Sequence, residues 1–393
     1  MQRALGVLCV LCAAFVPAFG AGAAAQAPDR PAEGDPWPIF RGDTGLAGLA
    51  QGSVSEDLSL LWTYAAGRAI TSSPVVGGGR VFFGSDDAKV HCIDAETGAA
   101  LWAFETGDMI EAPPLLLDGK VFVGSSDFCF YALDAGTGTL LWKHETDDRI
   151  LGGANWVRDG ERLVVLVGSY DTHLYGFDAA TGEKLWAYGT DNYVNGTPAV
   201  LDGLAIFGGC DAVLHQVSVS TGERARSVVL GPECHVAGSV ALAGGRAYFG
   251  HYGSQFVCID LLTGATVWAY DSPKHQAFFS SPAIGAERVV FGGRDKLLHC
   301  VERETGQKVW TFSTRKNVDA SPVLVGERVV FGSLDGRMYV LALADGKELW
   351  SYDVGESIVS SPAVVGGRIY VGANDGRLYA FGPSAEKGDE DPR

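Results

Sequence analysis

The stretch "IDAETGAALW", from Ile93 to Trp102, combines a tight turn with the start of a strand. Asp94 can accept hydrogen bonds from the backbone that follows it, and Gly98 can adopt a positive φ. Five close copies of the stretch end at Trp142, Trp186, Trp268, Trp310 and Trp350. A sixth copy, "VSVSTGERAR", keeps the Thr-Gly pair but has Arg226 in place of the tryptophan. The stretch therefore belongs to an internal repeat, of which one copy is irregular.

The complete repeat unit also contains two β-rich runs before this turn. Runs such as "RVFFG" and "RIYVG" are β-branched and aromatic and are bounded by glycine, which predicts strands. The glycines that close the second run are 40 to 44 residues apart: Gly84, Gly124, Gly168, Gly208, Gly250, Gly292, Gly332 and Gly372. These eight units have the period of a four-stranded propeller blade.

The two ends of the repeat complement each other. The last unit has no tryptophan strand after Phe381, whereas Trp62 lies 40 residues before Trp102. We therefore predict an all-β fold over residues 59–382, an eight-bladed β-propeller of four-stranded antiparallel blades. The N-terminal strand would pair into the last blade and remove the exposed edges. One large apolar side chain per blade would form a structural belt: Trp62, Trp102, Trp142, Trp186, Trp268, Trp310 and Trp350.

The flanking segments predict export. Residues 1–25 have a positive start at Arg3, a short apolar run and small residues, which is typical of a signal peptide. Residues 26–58 form an extension that we expect outside the ring, and residues 383–393 an acidic disordered tail. We expect a periplasmic or secreted monomer without a transmembrane segment or lipid anchor. The formal charge of −17 argues against nucleic acid as a partner.

The pattern Ala132-x-Asp134-x-x-Thr137-Gly138-x-x-x-Trp142 resembles the tryptophan-docking motif of the PQQ-like β-propeller family. The resemblance covers nearly all of residues 59–382. The family includes quinoprotein alcohol dehydrogenases and non-enzymatic propellers such as the outer-membrane β-barrel assembly component BamB. The resemblance therefore implies a fold more strongly than a function.

The missing features of a quinoprotein site favour a scaffold over an enzyme. In quinoprotein dehydrogenases, PQQ lies in the central funnel between a vicinal disulfide and a tryptophan, with calcium and a catalytic aspartate. This chain has no adjacent Cys-Cys pair. Turn geometry explains why seven aspartates share one repeated position: Asp87, Asp127, Asp171, Asp211, Asp295, Asp335 and Asp375. We therefore predict no catalytic residues, no PQQ and no calcium.

The expected function is that of an exported scaffold that binds an envelope protein, as a BamB-like protein in outer-membrane protein assembly or a related role. The alternatives are a periplasmic quinoprotein-like or metal-dependent redox enzyme and a propeller that binds a small ligand. A bound cofactor or metal in purified protein would distinguish them.

Departures from the repeat gather in units three to five. Unit three has four additional residues, and Gly253 replaces the repeated turn aspartate in unit five. Loops on a rigid scaffold often carry binding, although irregular loops also arise by drift. The predicted binding patch is on the face that carries the turns between second and third strands: Asn155, Trp156, Asn192, Tyr193, Asn195, His235, His251, Tyr252, His275 and Phe278.

Two cysteines, Cys210 and Cys234, belong to loops of this same face. A disulfide between them would close a loop of 24 residues (234 − 210) and would contribute about 3 kcal/mol in the chain-entropy model. An oxidising compartment favours this disulfide. The alternatives are free thiols and a zinc or copper site made by Cys210, Cys234, His235 and His251.

Other histidines and cysteines follow the repeat and are interpreted as packing residues. His91, His215 and His299 replace a repeated tyrosine in the third strand. Cys92, Cys258 and Cys300 occupy a position for small residues and would be buried thiols.

Overall fold

The computed structural model describes residues 36–384, and the predicted signal peptide and most of the acidic tail lie outside this range. Within the described range the regular structure is β-sheet. No helix in that range has the length and apolar character needed to cross a membrane. Two strands precede the repeat, β1 (Leu49–Ala50) and β2 (Leu58–Ala65).

Eight sheets, each with four antiparallel blade strands, form the eight predicted blades, which confirms the fold class; the sheet of blade 7 has β1 as a fifth strand. The strands of each blade are given from inner to outer. Blades 1 and 2 contain β3 (Val75–Gly77), β4 (Arg80–Ser85), β5 (Lys89–Asp94) and β6 (Ala100–Glu105), then β7 (Leu115–Leu117), β8 (Lys120–Gly124), β9 (Cys129–Asp134) and β10 (Leu140–Glu145). Blades 3 and 4 contain β11 (Asn155–Asp159), β12 (Arg162–Gly168), β13 (His173–Asp178) and β14 (Lys184–Gly189), then β15 (Ala199–Leu201), β16 (Leu204–Gly208), β17 (Val213–Ser218) and β18 (Arg224–Val229).

The other four blades follow the same order. They are blade 5 with β19 (Ala241–Ala243), β20 (Arg246–Gly250), β21 (Gln255–Asp260) and β22 (Thr266–Asp271), blade 6 with β23 (Ala283–Ile284), β24 (Arg288–Gly292), β25 (Leu297–Glu302) and β26 (Lys308–Ser313), blade 7 with β27 (Val323–Val325), β28 (Arg328–Gly332), β29 (Arg337–Ala342) and β30 (Glu348–Asp353), and blade 8 with β31 (Ala363–Val365), β32 (Arg368–Gly372), β33 (Arg377–Pro383) and β2. The pairing of β2 with β33 closes the ring as predicted.

The repeated turn has the geometry expected from its sequence. Asp94 Oδ1 accepts hydrogen bonds from the backbone N–H and the hydroxyl of Thr97, both at 2.8 Å. These bonds hold the pKa of Asp94 below its usual value. Gly98 has a φ of 71°, and a Cβ atom there would lie 2.7 Å from the Trp62 ring. The glycine therefore serves both the turn and the packing of the neighbouring tryptophan.

The repeated tryptophans join each blade to the next. The Trp102 indole N–H donates to the Ala135 carbonyl in blade 2 at 3.2 Å. Trp62 is the exception, because its indole nitrogen has no partner and the equivalent Ala95 carbonyl already accepts from Arg368 and Tyr370. The same inter-blade bond is made by Trp142, Trp186, Trp268, Trp310 and Trp350.

The Ser-Pro elements at the start of the inner strands form a second inter-blade link. The Ser361 backbone N–H donates to Ser73 Oγ at 2.9 Å, from blade 8 to blade 1. Equivalent bonds at 2.9 to 3.0 Å run from Thr197 to Ser239, Ser239 to Ser281, Ser281 to Ser321 and Ser321 to Ser361. The repeated serine hydroxyl therefore replaces sheet hydrogen bonds between inner strands, which belong to separate sheets.

Residues 37–50, here called the plug, were expected outside the ring but lie against its inner strands. The Trp37 and Val76 backbones exchange hydrogen bonds of 2.8 Å. Strand β1 pairs in parallel with β27 in blade 7. Further plug carbonyls accept at 2.7 to 2.9 Å from the backbones of Leu116, Val200, Leu242, Ile284 and Leu324. These donors all precede the turn to the second strand, and as the plug advances its carbonyls meet blades 2, 4, 5, 6 and 7 in order, so the plug follows the inner strands around the channel near that face of the ring.

The plug also places a buried cation in the channel. Arg41 is 1% exposed, and its Nη2 atom donates to the carbonyls of Pro282, at 3.0 Å, and Pro322. Burial lowers the pKa of Arg41 to about 9. A Cβ atom on Gly48 would overlap the guanidinium, so the glycine makes room for it.

Candidate functional site

The opposite face, here called the loop face, carries the turns between second and third strands and the links between blades. A backbone hydrogen bond fixes each turn to the link beside it. In blade 3 the Tyr170 N–H donates to the Arg149 carbonyl at 2.9 Å, and in blade 5 the Tyr252 N–H donates to the His235 carbonyl at 3.0 Å. The side chains of this face are therefore held by a repeated and regular backbone.

Blades 3 to 6 place a row of aromatic side chains on the loop face. The Tyr170 and Tyr193 rings stack with centroids 4.6 Å apart, and Tyr252 lies 4.6 Å from Phe279. Tyr193 and Tyr252 are 44% and 50% exposed. We call the row the aromatic arc: Tyr170, Tyr193, His235, Tyr252 and Phe279.

Cations lie over both ends of the aromatic arc. The Arg149 guanidinium lies 4.9 Å from the Tyr170 ring centroid, and the Arg294 guanidinium lies 3.7 Å from the Phe279 centroid. Arginine over an aromatic face is attracted by the ring quadrupole. The two contacts orient the rings at the ends of the arc.

Asn192 and Asn195, two residues of the predicted binding patch, hold the arc in place. Asn195 Oδ1 accepts from the Tyr170 hydroxyl at 2.9 Å, and its Nδ2 donates to the Ala237 carbonyl at 3.1 Å. Asn192 Oδ1 accepts from the Tyr193 N–H at 2.8 Å, and its Nδ2 donates to the Cys210 carbonyl at 3.3 Å. Both amides act on the protein's own loops and position the tyrosines.

The two loop-face cysteines are free thiols in this structure. Their segments run side by side, because the Val236 N–H donates to the Gly209 carbonyl at 3.2 Å and His235 Nδ1 contacts the Cys210 carbonyl. A disulfide between Cys210 and Cys234 therefore stays a prediction. Burial raises the pKa of both thiols, which keeps them neutral.

Cys234 contacts the buried imidazole of His251. Its Sγ atom lies 3.7 Å from His251 Nε2, while His251 Nδ1 accepts from the Gly253 N–H at 3.1 Å. The neutral ring therefore carries its proton on Nε2, facing the sulfur. Burial lowers the pKa of His251, so this pair is a neutral thiol and a neutral imidazole.

The four residues considered as zinc or copper ligands do not converge. Within residues 36–384 no group of three or more His, Cys, Asp or Glu side chains is arranged to hold a metal ion. Cys234 meets His251, whereas His235 is directed at a backbone carbonyl. The loop face likewise has no cluster of carboxylates for calcium within the described residues.

Two residues predicted for the loop face lie elsewhere. Asn155 and Trp156 belong to inner strand β11, and Asn155 is fully buried. Asn155 Nδ2 donates to the plug carbonyl of Thr44 at 2.8 Å and to the Pro198 carbonyl at 2.7 Å. In other blades a backbone N–H of the inner strand donates to the plug, and in blade 3 the Asn155 side chain makes this contact instead. An inner strand lines the channel, so these side chains do not reach the face.

Phe278 is also a core residue, whereas His275 is exposed as predicted for a loop. The Phe278 ring lies 5.2 Å from Phe291 and 5.3 Å from His299. It occupies the position of Ile70 and Val194 in other blades, directly against the closing glycine of the second strand, here Gly250. The large aromatic residue there is a packing substitution.

Sequence reasoning missed Tyr170, Phe279, Arg149 and Arg294. A usable signal was present, because the residue two after each closing glycine changes from blade to blade while its neighbours repeat. The eight residues at that position are Asp86, Ser126, Tyr170, Cys210, Tyr252, Arg294, Leu334 and Asn374. Variation at a fixed turn position of the loop face shows that the fold does not require one residue there, so the position can vary with function.

The repeated turn aspartates have a structural role, as expected. Tyr131 donates its hydroxyl proton to Asp127 at 2.6 Å. In blade 1, His91 replaces this tyrosine: its Nε2 lies 3.1 Å from Asp87 Oδ2, and its Nδ1 lies 3.1 Å from the Tyr64 hydroxyl. The same Tyr–His–Asp chain recurs with Tyr188, His215 and Asp211 and with Tyr270, His299 and Asp295.

Comparison with known protein families gives the relationship of the chain. A family model described as outer membrane protein assembly factor BamB matches residues 52–160, 131–293 and 294–390. The chain belongs to this family of PQQ-like repeat propellers. No curated protein sequence matches it.

Solved structures similar to this family member include BamB and two dehydrogenases. BamB from Moraxella catarrhalis has a TM-score of 0.71 at 19% identity, covering 83% of this chain and 99% of its own. A europium-containing methanol dehydrogenase has a TM-score of 0.72 at 14% identity, covering 88% and 98%. The quinohemoprotein alcohol dehydrogenase from Comamonas testosteroni has 0.73 at 17%, covering 89% and 81%. At these identities the likeness shows the fold alone.

Proposed function

We propose that this protein is a non-enzymatic scaffold of the cell envelope that binds a protein partner through the aromatic arc. The exposed Tyr193 and Tyr252 on a hydrogen-bonded backbone are the observation that carries the proposal. Tyrosines supply a large contact area with few rotatable bonds, and a few such residues dominate many protein interfaces. The family match favours a partner connected with outer-membrane protein assembly.

The proposal includes export to the periplasm or beyond and a monomeric state. It also includes the absence of PQQ and calcium, which the lack of an adjacent Cys-Cys pair in the sequence and of a group of three or more His, Cys, Asp or Glu side chains arranged for a metal within residues 36–384 supports. Isothermal titration of the purified protein with PQQ and Ca²⁺ should give no saturable heat at micromolar concentration. Saturable binding together with dye-linked alcohol oxidation would support the redox enzyme instead.

Site-specific photo-crosslinking tests the binding role. A benzophenone amino acid at Tyr193 or Tyr252 should crosslink to an envelope protein in intact cells of the native organism. The matched control is Gln307, which is exposed in a turn of the opposite face. No crosslink at either tyrosine, or equal crosslinking at Gln307, would contradict the proposal.

Alanine substitutions then measure the contribution of each tyrosine. Tyr252→Ala and Tyr193→Ala should each weaken binding of the crosslinked partner by about 1–2 kcal/mol, which is about 5- to 30-fold in Kd. Thermal unfolding should change little because both side chains are exposed. Unchanged affinity in both variants would exclude the arc as the binding site.

A further inference from the structure

A cleft of about 580 Å³ lies on the loop face around the turn of blade 6, between the links that join this blade to blades 5 and 7. It is lined by Lys274, Gln276, Arg294, Asp295, Lys296 and Asn317. Three of these residues are cations, and all three are exposed. The cleft therefore presents positive charge on a protein whose formal net charge is −17.

The two lysines carry the free positive charge of the cleft, because Arg294 pairs with Asp319. Both Asp295 side-chain oxygens are buried, and Oδ1 accepts from the Leu297 N–H at 3.2 Å and lies 3.1 Å from His299 Nε2. Within residues 36–384, neither Lys274 nor Lys296 forms an ion pair. Both ammonium groups are available to a ligand.

Internal contacts hold two of the three cations, Lys274 and Arg294, in the cleft. Lys274 Nζ donates to the Asp295 backbone carbonyl at 2.8 Å. Arg294 makes two bonds to the Asp319 carboxylate, at 3.0 and 3.3 Å, and covers the Phe279 ring. Ordering before binding reduces the entropy lost when a ligand arrives.

The cleft is continuous with the aromatic arc. Arg294 lines the cleft and packs on Phe279, and Phe279 packs on Tyr252. Arg315 and Lys316 are exposed in the next link of the same face and extend the positive surface. A bound chain can therefore place acidic groups in the cleft and apolar groups on the arc at once.

We propose that the cleft binds the carboxylate side chains of an extended acidic segment of the protein partner, whose apolar side chains lie on the aromatic arc. This inference rests on the proposed function. Charge complementarity selects the occupant, because acidic chains are repelled by most of this protein and attracted here. The cleft thus sets the register of the segment and speeds its capture.

Binding of synthetic peptides tests the charge preference. The probe is a fluorescent peptide in which a block of glutamates precedes a block of phenylalanine and tyrosine, and a matched peptide has lysines in place of the glutamates. The glutamate peptide should bind at least about tenfold more tightly, and its affinity should fall as salt rises. Equal affinity for both peptides would overturn the inference.

Charge reversal locates the effect. The double variant Lys274→Glu/Lys296→Glu should bind the glutamate peptide about tenfold or more weakly than the unmodified protein. The control Lys308→Glu/Lys347→Glu makes the same charge change at exposed positions of blades 6 and 7 on the opposite face. It should bind much as the unmodified protein does. Equal losses in both variants would show a general charge effect and overturn the inference.

A milder variant and the crosslink separate this inference from the proposed function. Lys274→Gln/Lys296→Gln should give an intermediate loss with an unchanged melting temperature, which excludes misfolding as the cause. Loss of the Tyr252 crosslink in the Lys274→Glu/Lys296→Glu variant supports the cleft. If that crosslink persists at full yield in the variant, the cleft inference is wrong and the scaffold role stands. If the unmodified protein gives no crosslink from the arc, the scaffold role itself is wrong.

Discussion

Gln216 Nε2 donates a hydrogen bond of 3.0 Å to the Leu261 carbonyl, from blade 4 to blade 5. This carbonyl is equivalent to those that accept from tryptophan indoles elsewhere, as Val219 accepts from Trp186 at 2.8 Å. Gln216 lies opposite Arg226 in the β17–β18 ladder. The irregular repeat therefore keeps the inter-blade hydrogen bond but makes it from the neighbouring strand.

Removing this amide should leave a buried carbonyl without a donor. Gln216→Ala is expected to lower the free energy of unfolding by about 1–3 kcal/mol, measured by urea denaturation. The control Gln307→Ala, at an exposed position, should change it by less than about 0.5 kcal/mol. Adding Arg226→Trp to Gln216→Ala recreates the Ala132–Trp142 pair of blade 2 and should recover most of the loss. An unchanged Gln216→Ala variant would contradict this role.

The Tyr–His–Asp chain should be exchangeable between blades as a pair. His91→Tyr alone places a larger ring against Tyr64 and should cost about 1–3 kcal/mol by overpacking. The double variant His91→Tyr/Tyr64→Phe copies Tyr131 of blade 2 and Phe104 of blade 1, whose rings lie 5.7 Å apart across the blade boundary. It should restore stability, with a coupling energy of about 1 kcal/mol or more in a double-mutant cycle. Additive effects would show that the two positions are independent.

The same exchange should change the response of stability to acid. Burial lowers the pKa of His91 below the ordinary 6.5, against the raising effect of Asp87. As pH falls, His91 is therefore protonated in the unfolded chain before it is protonated in the folded protein. The contribution of neutral His91 to the free energy of unfolding is complete above pH 6.5 and is lost as pH falls through the pKa of His91 in the folded protein. The double variant should lose less unfolding free energy than the unmodified protein between about pH 8 and about pH 5. A larger loss in the variant would reverse the sign and refute the assignment.

Two truncations should separate the plug from the closing strand. A chain that begins at Ser55 lacks the plug but keeps β2, and should still unfold cooperatively at a lower temperature. A chain that begins at Ala66 also lacks β2, whose ladder with β33 spans Leu58 to Ala65, and should lose cooperative unfolding. Calorimetry distinguishes the two results. Equal behaviour of both chains would mean that ring closure does not depend on β2.

Mild oxidation should join Cys210 to Cys234, because their segments are hydrogen bonded side by side. The crosslink is expected to raise stability by about 3 kcal/mol in the chain-entropy model. Peptide mapping without reduction identifies it, and Cys234→Ser is the control. Two unmodified thiols after oxidation would show that the loops hold the sulfurs apart.

The ring and its closure could be predicted from the sequence because they rest on periodic residues. Trp62 falls in register with the other tryptophans, and β2 pairs with the last blade accordingly. The Gln216–Arg226 pair could also have been recognised, since both residues depart from the repeat in one unit. Phe278 aligns with Ile70, and this alignment alone predicts burial.

The role of the plug could not be predicted in this way. Asn155 meets Thr44 across 111 residues of sequence, and no repeat relates the two. The plug forms hydrogen bonds through its own backbone carbonyls, and these bonds do not depend on which side chains the plug carries. From the sequence Arg41 would be expected on the surface, yet in the channel its guanidinium donates hydrogen bonds to the carbonyls of Pro282 and Pro322. Contacts that depend on the finished ring are invisible to local patterns.

The plug has a consequence for the order in which the chain is assembled. Its hydrogen-bond partners extend from Val76 to Leu324, and β2, which follows it, pairs with strand β33 at the other end of the domain. Residues that leave the ribosome early must therefore wait for nearly the whole domain before they reach their final positions. Such contacts between distant parts of a chain are slow to form. A nascent chain of this protein remains an open arc of blades until its last strand arrives.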